Sequence, residues 1–396
     1  MSVSRKIYMD HIAGKPVDPS VVEVMLPYME FFYGNPFSIH SFGEEPRKTL
    51  DEARIKIAEL INAERKESII FTSGATESNN LAVKGVANRN VDRGKHIIAS
   101  SIEHMSVLNP CKFLKTKGFQ VTFLPVDNYG VVSLESLERE LRDDTILVSI
   151  QYANGEIGTI QPIKEISQIV HRKNAYLHAD ATAANGQIEI DVREDGIDLL
   201  TLSSNDIYGP KGVGALYVRE GVRLEPILHG GGQERGLRSG TENVPGIVGF
   251  GKAAEIAKNE MLKESERLSR LRDKFIRGLL ESVPYSFLNR HPTRRLPDNV
   301  AVRFSFIEGE SILLSLDMMG VAASSGSACT AKTLEPSHVL MATGLKHEEA
   351  HGSVLFTLGR QSAEEEVDYV ISIMPDVVRR LRAMSPLTPK ELIISV

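Results

Sequence analysis

The sequence contains no tryptophan and only two cysteines, Cys111 and Cys329. A disulfide framework is therefore disfavoured, and such sparing use of cysteine is typical of a reducing cytosol. No apolar run reaches the roughly 18 residues of a membrane span. The first residues, MSVSRKIYMD, have no apolar signal-peptide core. We therefore expect a cytoplasmic protein with no membrane association.

Basic charge is also scarce. The chain has 46 Lys and Arg against 52 Asp and Glu, a net charge of -6. Because phosphate neutralisation needs a basic face, we expect no nucleic-acid partner. The length of 396 residues exceeds what one hydrophobic core usually supports, so two core-bearing units are expected.

Short apolar runs alternate with helix-period stretches over some 200 residues. The predicted strands are 68–72, 96–100, 120–126, 145–150, 176–180 and 199–203. Helical patterns such as 134–143 and 164–174 lie between them. This alternation predicts an α/β fold with a mostly parallel central sheet. In such sheets ligands gather at the carboxyl ends of the strands.

The pattern changes after a long helix that starts near Pro245 and runs to about residue 281. We interpret this helix as the bridge to a smaller α+β unit. The predicted elements beyond it are strand 299–305, helix 309–319, strand 321–324, helix 337–343, strand 354–358 and a helix from about 364. The expected division is a large domain, 15–260, and a small domain formed by 1–14 and 261–396.

Two polar segments follow predicted strands. In FTSGATESNNLA, 71–82, a glycine turn leads from a strand into a helix, whose free N–H groups form an anion site. An ordinary strand–turn–helix is the equal alternative. In LHAD, Asp180 ends a buried run, where a carboxylate needs a partner such as the ring nitrogen of pyridoxal phosphate (PLP). The alternative is a helix N-cap.

Further candidates lie in glycine-rich or serine-rich segments. The segment HGGGQERGLRSGTEN, 229–243, could present N–H groups and Thr241 to a phosphate, or could be a flexible loop. Cys329 lies in SSGSACT, which favours an accessible thiol whose reactivity depends on a lowered pKa. Cys111 is flanked by helix-period residues and fits a buried apolar role. His104 follows strand 96–100.

Taken together, the segments YMDHIAGKPVDP, GNPFSIHSFG, FTSGATESNNLA, SGSACTAKTLEPSHVL and TLGR resemble the cysteine desulfurase family over nearly the whole chain. The resemblance implies fold-type I, PLP-dependent enzymes that move sulfur from L-cysteine to iron–sulfur cluster assembly. It also implies a homodimer, an iron–sulfur scaffold protein as partner, and L-alanine as product.

The resemblance assigns roles to individual residues. Ala75 and Thr76 would hold the cofactor phosphate, His104 would stack on the ring, and Asp180 would keep the ring nitrogen protonated. Cys329 would be the nucleophile that becomes a persulfide, with His104 beside it in the catalytic group. The implied cofactor-binding residues are Ala75, Thr76, His104, Gly155, Asp180, Ala183, Ser203, Ser204, Asn205, Asp206 and, from the second subunit, Thr241.

Several of these positions depart from the family pattern. Asp206 stands where the family has the lysine that forms the internal aldimine, and Asn205 stands where it has histidine. Ala183 replaces a glutamine, Gly155 an asparagine, and Leu355 the arginine that clamps the substrate carboxylate. The family's Asn-Ala-Ala is His11, Ile12 and Ala13 here. PLP is therefore expected to bind noncovalently.

These departures leave two functions open. The first is a cysteine desulfurase with reduced or unusual activity. The second is a sulfur carrier or scaffold-docking protein in which Cys329 holds a persulfide or serves as a ligand of a transient [2Fe-2S] cluster shared with the scaffold. The sulfur source would then be L-cysteine or another compound. A PLP enzyme for a different amino acid is disfavoured by the intact SGSACT segment.

Overall fold

The computed structural model describes residues 6–325 and 336–390. Within these ranges the strands are β1 (Ile7–Tyr8), β2 (Ile69–Thr72), β3 (His96–Ser100), β4 (Gln120–Leu124), β5 (Thr145–Ser149), β6 (Tyr176–Asp180), β7 (Leu199–Ser203), β8 (Gly214–Val218), β9 (Ser286–Leu288), β10 (Asn299–Phe304), β11 (Val321–Ala322) and β12 (Ser353–Thr357). The helices are α1 (Pro19–Met25), α2 (Pro27–Glu30), α3 (Ser41–Leu60), α4 (Ala75–Arg89), α5 (Met105–Thr116), α6 (Leu134–Glu140), α7 (Ile163–His171), α8 (Val244–Ser282), α9 (Gly309–Met318), α10 (His338–Ala342), α11 (His347–His351) and α12 (Glu364–Met384).

The main sheet has the strand order β2-β8-β7-β6-β5-β3-β4. All neighbours are parallel except β8, which runs antiparallel to both β2 and β7. The predicted α/β class with a mostly parallel sheet is thus confirmed. Strand β8 was not predicted, because a loop rather than a helix connects it to β7, so it breaks the alternating pattern.

Helices cover the sheet by burying one apolar face each. In α7, Ile163, Ile166 and Val170 are buried at helical spacing, and they join the core cluster that includes Leu177 and Leu200 of the sheet. Full burial of such side chains stabilises the fold by about 1.5–3 kcal/mol each. This packing fixes the sheet whose carboxyl edge carries the candidate site.

Helix α8 contributes to two separate cores along its 39 residues. Its first half packs Phe250 into the core under the main sheet, whereas Phe275 packs against Phe356 of β12 with ring centroids 5.0 Å apart. Strand β1 pairs with β11, so Ile7 from the N-terminal segment joins the second core. The division at residues 15 and 260 itself stays a prediction.

The second core lies under the antiparallel sheet β12-β10-β9. None of the helices in residues 6–325 and 336–390 carries an apolar stretch of the length that a membrane span requires.

Candidate functional site

The carboxyl ends of β2, β3, β6 and β7 meet at one edge of the main sheet. Thr76 follows β2, His104 follows β3, Asp180 ends β6 and Ser203 ends β7. The fold therefore brings four predicted site residues to one place. This is the edge at which α/β sheets bind ligands.

The turn before α4 brings two backbone segments into close contact. Gly74 has a φ of 142°, and a Cβ on Gly214 of β8 would lie 2.7 Å from the Cα of Gly74. No side chain caps the 15-residue helix that begins with Ala75, and Thr76 in its first turn is exposed. The first N–H groups of α4 therefore suit an anion such as a phosphate.

A chain of hydrogen bonds links Asp180 to His104. The side-chain amide of Asn79 donates to Oδ2 of Asp180 and to Oγ of Ser106, both at 2.7 Å. Ser106 Oγ lies 2.7 Å from Nδ1 of His104, which N-caps α5. Oδ1 of Asp180 accepts bonds from the backbone N–H of Thr182 at 2.9 Å and its hydroxyl at 2.5 Å. These donors stabilise a carboxylate that is only 6% exposed.

The helix N-cap interpretation of Asp180 is wrong, because a turn and not a helix follows β6, and its pairing with a ring nitrogen stays a prediction. One oxygen accepts from Thr182 within that turn, and the other accepts from Asn79. Asn79 and Ser106 were missed, although Asn79 lies inside the segment FTSGATESNNLA. Their spacing gives no signal, because the contact depends on how α4 and α5 pack.

Asp206 lies in a short 3₁₀ helix, Asn205–Ile207, directly after β7. Burial raises the pKa of Asp206 to about 6, although the charge of Lys15 and a hydrogen bond with Ser203 lower it. The Nζ of Lys15 donates to the main-chain oxygen of Asp206 at 2.9 Å. Burial likewise raises the pKa of Asp298, against the charge of Lys15. The positive charge of Lys15 therefore acts on two carboxyls of the site, the partly buried Asp206 and the buried Asp298.

Apolar groups occupy the other substituted positions. A Cβ on Gly155 would lie 2.4 Å from Cδ1 of Ile12 and 3.3 Å from Cβ of Ala183, so Ile12 fills the space of a side chain at 155. Leu355 is 2% exposed, and its backbone pairs with Ser324 through bonds of 3.0 and 2.7 Å. Its two neighbours in β12 pack into the second core, so its side chain lies on the opposite face.

Ser204 and Asn205, the two residues between β7 and Asp206, leave part of their side-chain hydrogen-bonding capacity unused within the described residues. The Ser204 hydroxyl and the Asn205 side-chain oxygen are buried, and the described residues offer neither a hydrogen-bond partner. Leaving a buried polar atom unpaired costs about 1–3 kcal/mol. The Ser204 hydroxyl packs against Gly209. The Asn205 oxygen is therefore a buried acceptor that no described residue engages.

The segment 229–243 is anchored to the large core by ion pairs. Arg54 makes a bidentate pair with the buried Glu234 at 2.7 and 2.5 Å. Arg238 pairs with Glu77 in the first turn of α4 at 3.0 Å. Arg238 therefore fixes the segment to α4. Thr241 is exposed, and its role toward a second subunit stays a prediction.

Of the two cysteines, only Cys111 lies within the described residues. Cys329 lies outside the described residues, so its expected role as nucleophile or cluster ligand stays a prediction. Cys111 is fully buried in α5, and burial raises the pKa of its thiol to about 12. Because the thiolate is the reactive form, Cys111 is inert at neutral pH.

Comparison with known proteins identifies the family. The chain matches the Aminotransferase class-V family model over residues 7–370. It is 63% identical over 380 residues to a protein from Archaeoglobus fulgidus named cysteine desulfurase IscS 1, covering 96% of this chain and 99% of that protein. The chain belongs to the cysteine desulfurase family. A family member from Methanosarcina thermophila named cysteine desulfurase IscS is 54% identical over 98% of this chain and 96% of its own length.

Solved structures agree with this assignment. A NifS-like protein has a TM-score of 0.89 at 38% identity, covering 95% of this chain and all of its own. A structure described as SspA in complex with cysteine has a TM-score of 0.80 at 36% identity, covering 89% of this chain and 99% of its own. The predicted PLP-dependent transferase fold is therefore confirmed.

The donor set suits PLP in part. The uncapped start of α4 fits a phosphate, and the buried carboxylate of Asp180 fits a protonated ring nitrogen. Residue 206 offers no amine, and Ala183 and Gly155 offer no hydrogen bond from their side chains. The residues that would hold the two ends of the cofactor are present, and those that act at its reactive side are replaced.

Proposed function

We propose that this cysteine desulfurase family member supplies sulfur for iron–sulfur cluster assembly through a persulfide on Cys329. L-cysteine is the sulfur source and L-alanine the product. The observation that supports the proposal is that the uncapped start of α4 and the buried Asp180, the two groups expected to hold PLP, lie at one edge of the sheet. A cytoplasmic homodimer that docks on a scaffold protein completes the proposal.

When bound, PLP supplies an electron sink for the substrate. The residues of this chain would hold and orient it. Asp180, fixed by Asn79 and Thr182, keeps its carboxylate available to a ring nitrogen. Asp206 has a pKa of about 6, so its carboxylate is a stronger base than an exposed one and can take up a proton at neutral pH.

Turnover is expected to be slow. Losing a positioned general acid–base costs about 100- to 10,000-fold in rate. Losing the arginine at position 355 removes charge-assisted bonds of roughly 1.5–3 kcal/mol each. Both losses act on substrate handling and leave the thiol of Cys329 as a sulfur acceptor.

The test mixes purified full-length protein with PLP, L-cysteine and a thiol reductant, and measures alanine and sulfide. Cys329→Ala is the variant, and Cys111→Ala is the matched control at a buried thiol. We expect slow alanine formation that Cys329→Ala abolishes and Cys111→Ala retains. Alanine formation independent of Cys329, or none at all, would sink the enzymatic proposal.

A second candidate is favoured by Asp206 and Leu355, the positions where the family has a lysine and an arginine. Here the protein makes no persulfide itself, and Cys329 holds sulfur or a [2Fe-2S] cluster for the scaffold partner. It predicts no alanine, with Cys329-dependent capture of sulfur from a protein persulfide donor.

A further inference from the structure

Glu103 is a fully buried acid in the turn between β3 and α5, directly before His104. Its Oε1 accepts a hydrogen bond from the Ser100 hydroxyl and another, at 2.9 Å, from the backbone N–H of Gln151. Ser100 ends β3, and Gln151 lies just beyond the end of β5, which pairs with β3 in the sheet. One carboxyl therefore joins the ends of two neighbouring strands at the edge that carries the candidate site.

The carboxyl of Glu103 is a neutral acid at pH 7. Burial raises its pKa to about 8, and the negative charge of Asp180 raises it further, although the bonds from Ser100 and Gln151 lower it. Because Oε1 accepts both bonds, the acid proton lies on Oε2, which is buried and has no hydrogen-bond partner among the described residues. Glutamine is the conservative replacement, since it is also neutral and also has an acceptor oxygen.

Contacts to the main chain hold the same turn from two further directions. The carbonyl oxygen of Glu103 lies 3.0 Å from Nε2 of His338, the first residue of α10. Since a carbonyl oxygen only accepts and burial lowers the pKa of His338, this ring is neutral and donates from Nε2. The carbonyl oxygen of Ile102 accepts from the side-chain amides of Gln151 and Asn154 at 2.8 and 3.1 Å. The turn is therefore fixed both to the segment after β5 and to α10.

His104 follows Glu103 directly and caps the start of α5. Its Nδ1 accepts from the backbone N–H of Ser106 at 3.1 Å and lies 2.7 Å from the Ser106 hydroxyl, which is joined through Asn79 to Asp180. These contacts fix the ring to α5, whereas the position of the His104 backbone is set by the turn that Glu103 holds. A displaced turn would therefore shift the ring relative to Asp180.

We propose that Glu103 is a positioning residue for His104. Its carboxyl fixes the turn between the ends of β3 and β5, and thereby fixes where the His104 ring lies for a cofactor ring to stack on it. The inference rests on the proposed binding of PLP at this edge of the sheet. The alternative is a buried acid that only stabilises the fold, and such an acid would not act on cofactor affinity through His104.

A double-mutant cycle on PLP affinity separates the two roles. Equilibrium dialysis at pH 7 gives the dissociation constant of PLP for the full-length wild type, Glu103→Ala, His104→Ala and the double variant. We expect each single change to weaken binding about tenfold, and the double variant to bind no more than about twofold more weakly than His104→Ala. Glu103→Gln keeps the acceptor oxygen and should bind PLP within about threefold of the wild type.

Asp198→Asn is the control, because Asp198 is a fully buried carboxyl just before β7, at the opposite edge of the sheet. It should keep the wild-type affinity for PLP whatever stability it loses. If Glu103→Ala does not fold, Ser100→Ala removes one of the two donors and takes its place in the cycle, with a loss of about threefold.

Three results would overturn the inference while the proposed function stands. They are losses that multiply in the double variant, an unchanged affinity in Glu103→Ala, and a loss in Glu103→Gln as large as that in Glu103→Ala. A wild-type protein that binds no PLP would overturn both the inference and the proposed function.

Discussion

Replacing Asp206 by asparagine is expected to stabilise the fold at neutral pH. Burial raises the pKa of this carboxyl to about 6 from its ordinary 3.8. At about 1.36 kcal/mol per pKa unit, the ionised carboxylate costs the folded protein about 3 kcal/mol. The attraction of Lys15 is already contained in that figure, because it lowers the pKa from a still higher value.

The pH dependence has a defined sign. Below the unfolded pKa of 3.8 the carboxyl is protonated in both states, and the cost is absent. As the pH rises through 3.8 and then about 6, the unfolded chain releases its proton first, so the folded state loses stability until the loss is complete above about pH 6. Asparagine is neutral throughout, so Asp206→Asn should show no such loss.

Urea denaturation at pH 4 and pH 8 measures the effect. Asp206→Asn should exceed the wild type by about 3 kcal/mol at pH 8 and by little at pH 4. Asp92→Asn, the same substitution at an exposed carboxylate, is the control. A pH-independent difference for Asp206→Asn, or none at pH 8, would refute the reasoning.

Three further outcomes test other parts of the structure. Glu234→Ala leaves Arg54 without its bidentate partner and should lower the free energy of unfolding by about 3–5 kcal/mol in urea titrations; loss below 1 kcal/mol would contradict the buried pair. Cys111, with a pKa of about 12, should resist iodoacetamide in the folded protein and react in denaturant, as peptide mapping will show. Asn79→Ala removes a donor from Asp180 and should weaken PLP binding about tenfold in equilibrium dialysis.

The strands of the main sheet could be predicted because each is a short uninterrupted apolar run. Residues 96–100, 176–180 and 199–203 begin and end where the sequence indicates. Strand β8 has the same kind of run, GALYV, but follows a glycine-containing loop after β7 and was not recognised. Helix ends were predicted less well, since the predicted helices 134–143 and 164–174 end earlier, at Glu140 and His171, where the periodic pattern gives no stop signal.

The site could be predicted only where its residues lie in a segment with a family pattern. Asp180 and the turn at Gly74 are of this kind. The link from Asp180 through Asn79 and Ser106 depends on helix packing, and the approach of Lys15 to Asp206 depends on a contact across 191 positions. Local periodicity in the sequence cannot indicate contacts between residues that lie so far apart along the chain.

Two replacements in the site are matched by residues of one N-terminal segment. Ile12 fills the space left at Gly155, and Lys15 places an amine beside Asp206. Both contacts come from the same segment, so we infer that it has repacked against these two positions.

Repacking makes a double-mutant prediction at the first of these pairs. Ile12→Ala should cost about 2–5 kcal/mol through the cavity it leaves, and Gly155→Asn about 1–3 kcal/mol through overlap with Ile12, whose Cδ1 would lie 2.4 Å from the new Cβ. In the double variant the asparagine enters the space that Ile12 vacates, so the combined loss should fall at least 1 kcal/mol short of the sum. Urea denaturation of the four proteins gives this coupling energy. Additive losses would mean that Ile12 does not compensate for the missing side chain, and the cavity would then have to be regarded as eroded rather than rebuilt.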